Sequence, residues 1–316
     1  MKSVEVRIED PALTGLRLDR FVAEHLGLFS RSQLASRVRG LAVNGAPARQ
    51  SRRLRLGDLV RVEYDDPAPL RVEGEPIPLA VIFENNDAIV IDKPPGMVVH
   101  PGNGNRSGTL LNALLAHRPG MAAAWGSGEA RPGIVHRLDK DTSGVMVAAA
   151  NPAAHEALAR QFKDREVRKR YLAIVRGAPP AAEGRIEAPL ARSRRDRRRF
   201  TAIRAGAPGA PVGRAAVTRY RVLRRWPGYS LVLLAPLTGR THQLRVHLRL
   251  IGCPVLGDPL YGRPDPRFPD ATLMLHSWRL SIRLPGEAEP REFRAPLPER
   301  FRQVIRALTA SGPTGG

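Results

Sequence analysis

Cysteine is nearly absent. Cys253 is the only one in 316 residues, which removes a disulfide scaffold and any Cys-based zinc finger from consideration. No apolar run approaches the ~18 residues of a membrane span, and the opening MKSVEVRIEDP has no signal-peptide core, so a soluble cytoplasmic protein with no membrane partner is expected. Lysine is scarce as well: Lys2, Lys93, Lys140, Lys163 and Lys169 are all there are among 51 basic residues, the rest being arginine. Acidic residues number 30, for a net charge of +21. A GC-rich coding sequence accounts for arginine in place of lysine but not for the imbalance. That imbalance points to a polyanionic partner, a nucleic acid or an acidic membrane surface. A chain of this length buries ~75% of its unfolded surface and needs no staple, and one large domain or two unequal ones are expected.

Residues 16–64 read as a small basic unit. Leu18, Phe21, Val22 and Leu26 share one face of a helix. Ser30-Arg31-Ser32-Gln33 fits a capping box for a second helix carrying Leu34 and Val38, with Gly40 at its C′ position. Leu41-Ala42-Val43 leads into Asn44-Gly45, a strong hairpin signal, and a strand is expected at Leu59–Tyr64. Nine arginines (Arg17, Arg20, Arg31, Arg37, Arg39, Arg49, Arg52, Arg53 and Arg55) lie on the polar faces, more than a solvated surface requires. The pattern resembles the αL RNA-binding domain of a small-subunit ribosomal protein, tyrosyl-tRNA synthetase and several RNA-modifying enzymes. The expected organisation is this domain at 1–64, a Pro-rich acidic linker at 65–77, a large domain at 78–308 and a disordered tail at 309–316.

The large domain mixes strands and helices without a regular βαβ alternation, which makes it α+β. Strands are expected at Val81–Phe83, Ala88–Ile91, Tyr171–Val175, Val217–Leu223 and Ser230–Leu234. Helices are expected around Leu110–Leu115, from Pro152 to Asp164 behind the Asn151 cap, and through Leu244, Leu248 and Ile251 up to Gly252. A hairpin holding seven arginines and Phe200 between Arg192 and Arg204, with a disordered tip at 205–211, offers phosphate contacts and a steep salt dependence.

The chemistry-bearing stretch is His136-Arg137-Leu138-Asp139-Lys140-Asp141-Thr142-Ser143-Gly144. Its density of ionisable groups between two apolar stretches is costly to bury unpaired, so this loop should line an open cleft. The residues themselves do not choose between Asp139 and Asp141. His242 and His247 are five apart and lack a zincin glutamate, so no metal site is expected. Gly126-Ser127-Gly128 is no nucleophile elbow, and Gly102-Asn103-Gly104 lacks the Lys-Ser/Thr pair of a phosphate loop. No cofactor or nucleotide is expected.

The stretch His136–Val145 resembles the signature of the RluA-type pseudouridine synthases. Four further ordered stretches are similar to that family's motifs: Lys93–Gly102, Lys169–Gly177, Thr238–His247 and Gly257–Gly262. Ala150 stands where the family usually keeps a lysine. His100-Pro101-Gly102 with Asn103-Gly104-Asn105, and Gly133-Ile134-Val135, look most like the RluD branch, which acts on large-subunit ribosomal RNA and carries the αL domain.

The resemblance implies a mixed, mostly antiparallel central sheet with flanking helices and an active cleft across its middle, in a monomer that processes RNA as an isomerase. It assigns the catalytic carboxylate to Asp139, which would attack the anomeric carbon, attack carbon 6 of uracil, or stabilise charge. Arg240 would pair with that carboxylate and orient it, and Tyr171 would stack on the uracil and move a proton. Arg137 would fill the space left by a flipped base. Further contacts to RNA are expected from His136, Leu138, Lys140, Thr142, Leu244, Arg245, Arg195, Arg198, Arg31 and Arg37. Competing readings are a sister-branch synthase acting on other ribosomal or transfer RNA uridines, and a non-catalytic ribosome-assembly factor.

Overall fold

The computed structural model describes residues 1–28, 34, 37–65, 72–102, 104–125, 131–203 and 212–310. The chain divides into two compact units, Met1–Arg71 and Val72–Gly316.

In the first unit, β1 (Lys2–Arg7), β2 (Val38–Val43), β3 (Ala46–Pro47) and β4 (Leu59–Tyr64) form an antiparallel sheet in the order β1-β4-β2-β3. Asn44 and Gly45 take φ 55° and 79°, the left-handed pair that a tight β2–β3 hairpin needs. A helical turn at Leu18–Arg20 runs on into a wider one at Phe21–His25, burying Leu18, Phe21 and Val22 with Val43, Val60 and Val62. The expected second helix does not reach Gly40. Ser30–Gln33 lie outside the described residues, but Val38 and Gly40 belong to β2. Pairing with β4 wins over helix continuation there, and Gly40 is needed for close approach rather than as a cap: a Cβ would stand 2.9 Å from the Glu63 carboxylate. Of the nine arginines, Arg17, Arg20, Arg39 and Arg52 pair with Asp19, Glu24, Asp65 and Asp58. Much of the charge expected to meet phosphate is therefore matched within the unit.

The expected linker is too long at its C-terminal end. The Asn112 side chain donates to Glu73 O (2.8 Å), Glu75 N–H donates to Asn112 O (2.9 Å), and the Glu75 carboxylate accepts from Gly108 N–H (3.0 Å). Residues 72–75 are thus part of the second unit.

That unit is built on a nine-stranded sheet containing β5 (Ala80–Glu84), β6 (Ala88–Lys93), β7 (Ser143–Ala149), β8 (Arg168–Arg176), β9 (Glu183–Glu187), β12 (Val217–Trp226), β13 (Tyr229–Pro236), β14 (Leu275–Ile282) and β15 (Arg291–Arg294). Its order is β5-β6-β7-β14-β8-β13-β12-β9, with β15 on β14, and every pair is antiparallel except β7–β14. The strands β10 (Leu190–Arg192) and β11 (Phe200–Ala202) make a separate hairpin. Alternation along β6 sends Ile89 and Ile91 to one face and Ala88 and Val90 to the other. The first face is covered by α1 (Leu110–His117), by α4 (Gln243–Leu250) through Leu244 and Leu248, and by α5 (Glu299–Ala310) through Phe301, Val304 and Leu308. The short helix α2 (Gly120–Trp125) adds Met121 to that side. The other face is covered by α3 (Pro152–Asp164) through Ala154 and Leu158. With both faces covered, all seven residues of β7 are buried.

The parallel β7–β14 contact spans only Ser143–His276 and Gly144–Ser277. Gly144 makes it possible: at φ 114° its Cβ would lie 2.2 Å from Ser277 O. This pairing sets the end of the 136–142 loop beside Tyr171, which faces Ser277 across β8–β14. Thr309 and Ala310, expected in a disordered tail, complete α5, where Phe301, Val304 and Leu308 repeat at helical spacing; residues 311–316 and the expected hairpin tip at 205–211 lie outside the described residues. Among the described residues no helix is long and apolar enough to cross a membrane.

Candidate active site

The loop ahead of β7 runs along that strand's free edge, but only partly as a strand. Gly133 O accepts from Ala149 N–H (2.8 Å). Two residues up the edge, at Val147, the acceptor is not backbone but the His136 ring, whose Nε2 takes the Val147 N–H at 3.1 Å. The imidazole stacks on Phe162 of α3, with centroids 4.4 Å apart and planes at 18°. Burial, aided by the Lys169 ammonium, pushes its pKa down to about 3, so it is neutral with its proton on Nδ1. His136 thus serves the scaffold through Val147 and Phe162 while its half-buried ring also lines the cleft.

Because a ring replaces a main-chain acceptor, the following residues are held off the sheet edge, with Arg137 and Asp139 lining a cleft of about 840 Å³. Leu138 between them is largely buried in the core but also lines the cleft. Thr142 N–H closes the turn on Asp139 O (3.1 Å), and its side chain is buried against the cleft.

This neutral burial has a measurable sign. Between pH 6.5 and about 3 the unfolded chain binds a proton at His136 that the folded chain does not, so stability falls as pH drops through that window. In His136→Gln, which retains an acceptor, the slope of unfolding free energy against pH is expected to lose close to one proton, about 1.4 kcal/mol per pH unit. Denaturant titrations at pH 4–6.5 check this, and an unchanged slope would show the ring to be accessible.

Lys93 fixes the loop from behind. Its side chain is fully buried, and Nζ donates to Pro94 O (2.6 Å), Met97 O (2.9 Å) and Lys140 O (3.0 Å). One ammonium thus ties the Lys93–Gly102 stretch to the residue after Asp139, while burial lowers its pKa to about 8 against the pull of Asp141 and Asp139. The Lys140 side chain is exposed, and the loop uses its carbonyl.

Asp139 faces Arg245, not Arg240. Arg245 Nη1 donates to Asp139 Oδ2 (3.1 Å), while Nε and Nη2 form a fork on Asp258 (2.7 and 2.8 Å). Arg245 is third in α4 and points into the protein, with 5% of its side chain exposed. Burial alone would lower its pKa; the Asp258 and Asp139 carboxylates reverse that and raise it. Asp258 is itself held by Leu260 N–H (2.9 Å) and Tyr261 N–H (3.0 Å). Burial works against its charge, but the Arg245 hydrogen bonds and these amides bring its pKa below the usual carboxylate range. Three of the five Arg245 N–H groups are engaged by Asp139 and Asp258, and the side chain lines the same cleft.

The pairing expected of Arg240 is corrected for a local reason. It precedes α4, its backbone N–H is bound to Gln243 Oε1 (3.0 Å), and its Nε donates to Ala215 O (3.2 Å). Its side chain reaches the rim of the cleft, as does Leu244 at the start of the helix.

His242 takes a left-handed φ of 56° to turn the chain into α4. Its Nδ1 lies 2.9 Å from the Tyr261 hydroxyl, and its Nε2 lies 4.0 Å from Asp139 Oδ1. The Tyr261 hydroxyl accepts from Phe200 N–H (2.7 Å), leaving its own proton for His242 Nδ1. Burial lowers the His242 pKa, so this neutral ring turns Nε2–H toward the carboxylate. Tyr171 lines the same cleft, buried and hydrogen-bonded to the Ser277 side chain. Burial pushes its pKa up to about 12, with the Ser277 bond opposing and the Asp139 charge adding, so its hydroxyl stays protonated.

The cleft thus joins Arg137, Asp139, Tyr171, Arg240, His242 and Arg245 from separate stretches of the chain. Arg137 is exposed, with no side-chain hydrogen bond or ion pair among the described residues. In the β10–β11 hairpin, Arg198 pairs with Asp196 (3.2 Å) and Arg195 is exposed. Arg37 is half-buried in the first unit, and Arg31 lies outside the described residues. Sequence reasoning gave no role to Lys93, Asp258 or Tyr261, although each stands in one of the ordered motifs.

The family model described as RNA pseudouridylate synthase matches residues 87–250. An uncharacterized RNA pseudouridine synthase of Bacillus subtilis, YlyB, is 39% identical over 94% of this chain and 95% of its own. Ribosomal large subunit pseudouridine synthase D of Nitrosomonas europaea is 39% identical over 97% of this chain and 88% of its own. The solved structure of human RNA Pseudouridylate Synthase Domain Containing 1 superposes with a TM-score of 0.57 at 30% identity, covering 75% of this chain and 97% of that one. Since the family model spans more than half the chain and such relatives match nearly all of it, the chain belongs to the RluA-type RNA pseudouridylate synthases, isomerases of uridine in RNA.

Proposed function

We propose that this enzyme converts specific uridines of large-subunit ribosomal RNA to pseudouridine, with Asp139 as the catalytic carboxylate. The observation that carries the residue assignment is the Arg245–Asp139 pair at 3.1 Å on the wall of a cleft otherwise open to a base. Relatives named ribosomal large subunit pseudouridine synthase D, matching nearly the whole chain, support the choice of RNA. The reaction breaks the bond between uracil N1 and the ribose, rotates the base, and rejoins it through C5. The C5 proton is lost and N1 gains one, so reactant and product are isomers and no redox partner enters. A carboxylate held by a buried guanidinium supplies the group that captures or steadies the separated fragments. Tyr171, neutral and buried beside it, offers a flat ring for the uracil and a hydroxyl for proton movement. The first unit is proposed to serve as the αL-type RNA-binding domain, and the enzyme to act as a monomer in the cytoplasm.

The test is a pseudouridine map of ribosomal and transfer RNA by carbodiimide-stop sequencing, in strains lacking the gene or carrying it restored as wild type or as Asp139→Ala. Large-subunit signals that vanish and return only with wild type are expected. Signals lost from tRNA instead would move the substrate to another RNA, and signals restored by Asp139→Ala would remove Asp139 from the chemistry.

Arg137, free at the cleft mouth, is proposed to occupy the gap left when a uridine swings out of a helix. Arg137→Ala is expected to slow turnover about tenfold more on a uridine within a stem than on the same uridine in an unpaired oligonucleotide. Equal losses on both, in single-turnover assays, would deny it that role.

A further inference from the structure

A second cavity, of about 600 Å³, lies on the other side of the Leu260–Gly262 turn. Four guanidinium side chains line it: Arg176, Arg199, Arg249 and Arg263. Two have carboxylate partners, Arg176 with Asp265 (2.9 Å) and Arg199 with Asp196 (3.4 Å), the latter shared with Arg198. Arg249 and Arg263 are exposed, and neither side chain has a hydrogen bond or ion pair among the described residues. The cavity therefore carries an excess of about two positive charges, presented by planar forks whose geometry suits phosphate oxygens.

Its walls are shared with the active site. Tyr261 lines the cavity and binds His242 in the cleft with its hydroxyl. Arg199 immediately precedes Phe200, whose N–H meets that same hydroxyl. Arg249 stands one helical turn beyond Arg245 on α4, about 6 Å along the axis. That is a shift of roughly two nucleotides at the ~3.4 Å rise of a stacked strand. Tyr261 is the one aromatic in the lining, and the Arg245 guanidinium lies over its ring at 5.1 Å, so little is left for a base to stack on.

We propose that Arg249 and Arg263 form a phosphate-binding basin that grips the RNA backbone one or two nucleotides from the reacting uridine, independently of sequence. This rests on Asp139 marking the place of reaction. The basin would contribute affinity and register to the substrate while taking no part in bond making.

The test compares wild type, Arg249→Ala/Arg263→Ala and Arg249→Lys/Arg263→Lys on a transcript of the RNA whose pseudouridine disappears in the deletion strain. Equilibrium binding and turnover are each measured across a salt series. The alanine pair is expected to raise KM about tenfold with kcat within about twofold of wild type. Its slope of log affinity against log salt should be shallower by about 1.4–1.8, at roughly 0.7–0.9 for each phosphate no longer neutralised. The lysine pair, which keeps both charges, should retain the wild-type slope. A wild-type slope and KM in the alanine pair overturn the basin, as does a fall in kcat alone. Circular dichroism melts of both pairs matching wild type exclude misfolding. Failure of the Asp139 reading shows itself separately, as Asp139→Asn protein that still turns over the same transcript.

Discussion

Asp139→Asn protein is expected to bind its RNA within about threefold of wild type and to lose turnover by about 10,000-fold or more. Amide and carboxylate have the same shape, so Thr142 N–H still meets Asp139 O and the turn should survive. The side chain stays 20% exposed at the cleft wall, and Arg245 keeps its fork on Asp258 when the Asp139 charge is removed. What disappears is a negative oxygen 3.1 Å from Arg245 Nη1, available to carbon or to developing positive charge. Losses of this size are typical where a group acts directly on the reacting atoms. Binding would persist because it comes from many arginine contacts spread over the surface. Single-turnover kinetics with filter binding in parallel separate the two effects. Asparagine protein with more than a tenth of wild-type turnover would end the assignment.

Arg245→Met is expected to damage both stability and chemistry. Its guanidinium makes three hydrogen bonds to two carboxylates, and the Asp258 side chain has no exposed surface. Removing the cation leaves that anion buried and uncompensated, which costs about 3–5 kcal/mol. For a unit of this size the melting temperature should fall by roughly 10 °C. Asp139 loses its only hydrogen-bonded side-chain partner among the described residues, and turnover should drop by about 100-fold or more per folded molecule. Arg245→Lys keeps the charge but cannot span both carboxylates in one plane, so it should recover stability in part and turnover poorly. Arg240→Ala, by contrast, should leave the melting temperature within about 2 °C and turnover within about tenfold, since it removes one rim contact to Ala215 O. If Arg240→Ala proved the more damaging for turnover and Arg245→Lys stood near wild type, the carboxylate would have the other arginine as its working partner.

Local signals read well in this chain because they act locally. Asn151 followed by Pro152 starts α3 where the cap requires, and Asn44-Gly45 supplies the two left-handed residues of its hairpin. The continuous apolar run of β6 reports a strand buried on both faces, and helical spacing in α1 reports a face that must be buried. The failures have equally plain causes. Val38 to Gly40 has sequence compatible with a helix end, yet the open edge of β4 makes it a strand. Residues 72–75 look like linker because their hydrogen bonds go to α1 and the loop before it, far along the chain.

The same division holds at the active site. Family, charge and the cluster of groups around Asp139 were all legible along the chain, since motif spacing and composition are written in one dimension. Linear order could not choose between Arg240 and Arg245, which share one motif, because the choice depends on which side of α4 faces the cleft. Packing makes that choice: burial of Leu244 and Leu248 fixes the rotation of α4, and the rotation turns Arg245 inward between Asp139 and Asp258. His136 was likewise legible as a polar residue beside the carboxylate, but its work as a neutral acceptor for Val147 exists only once β7 leaves an edge to be satisfied.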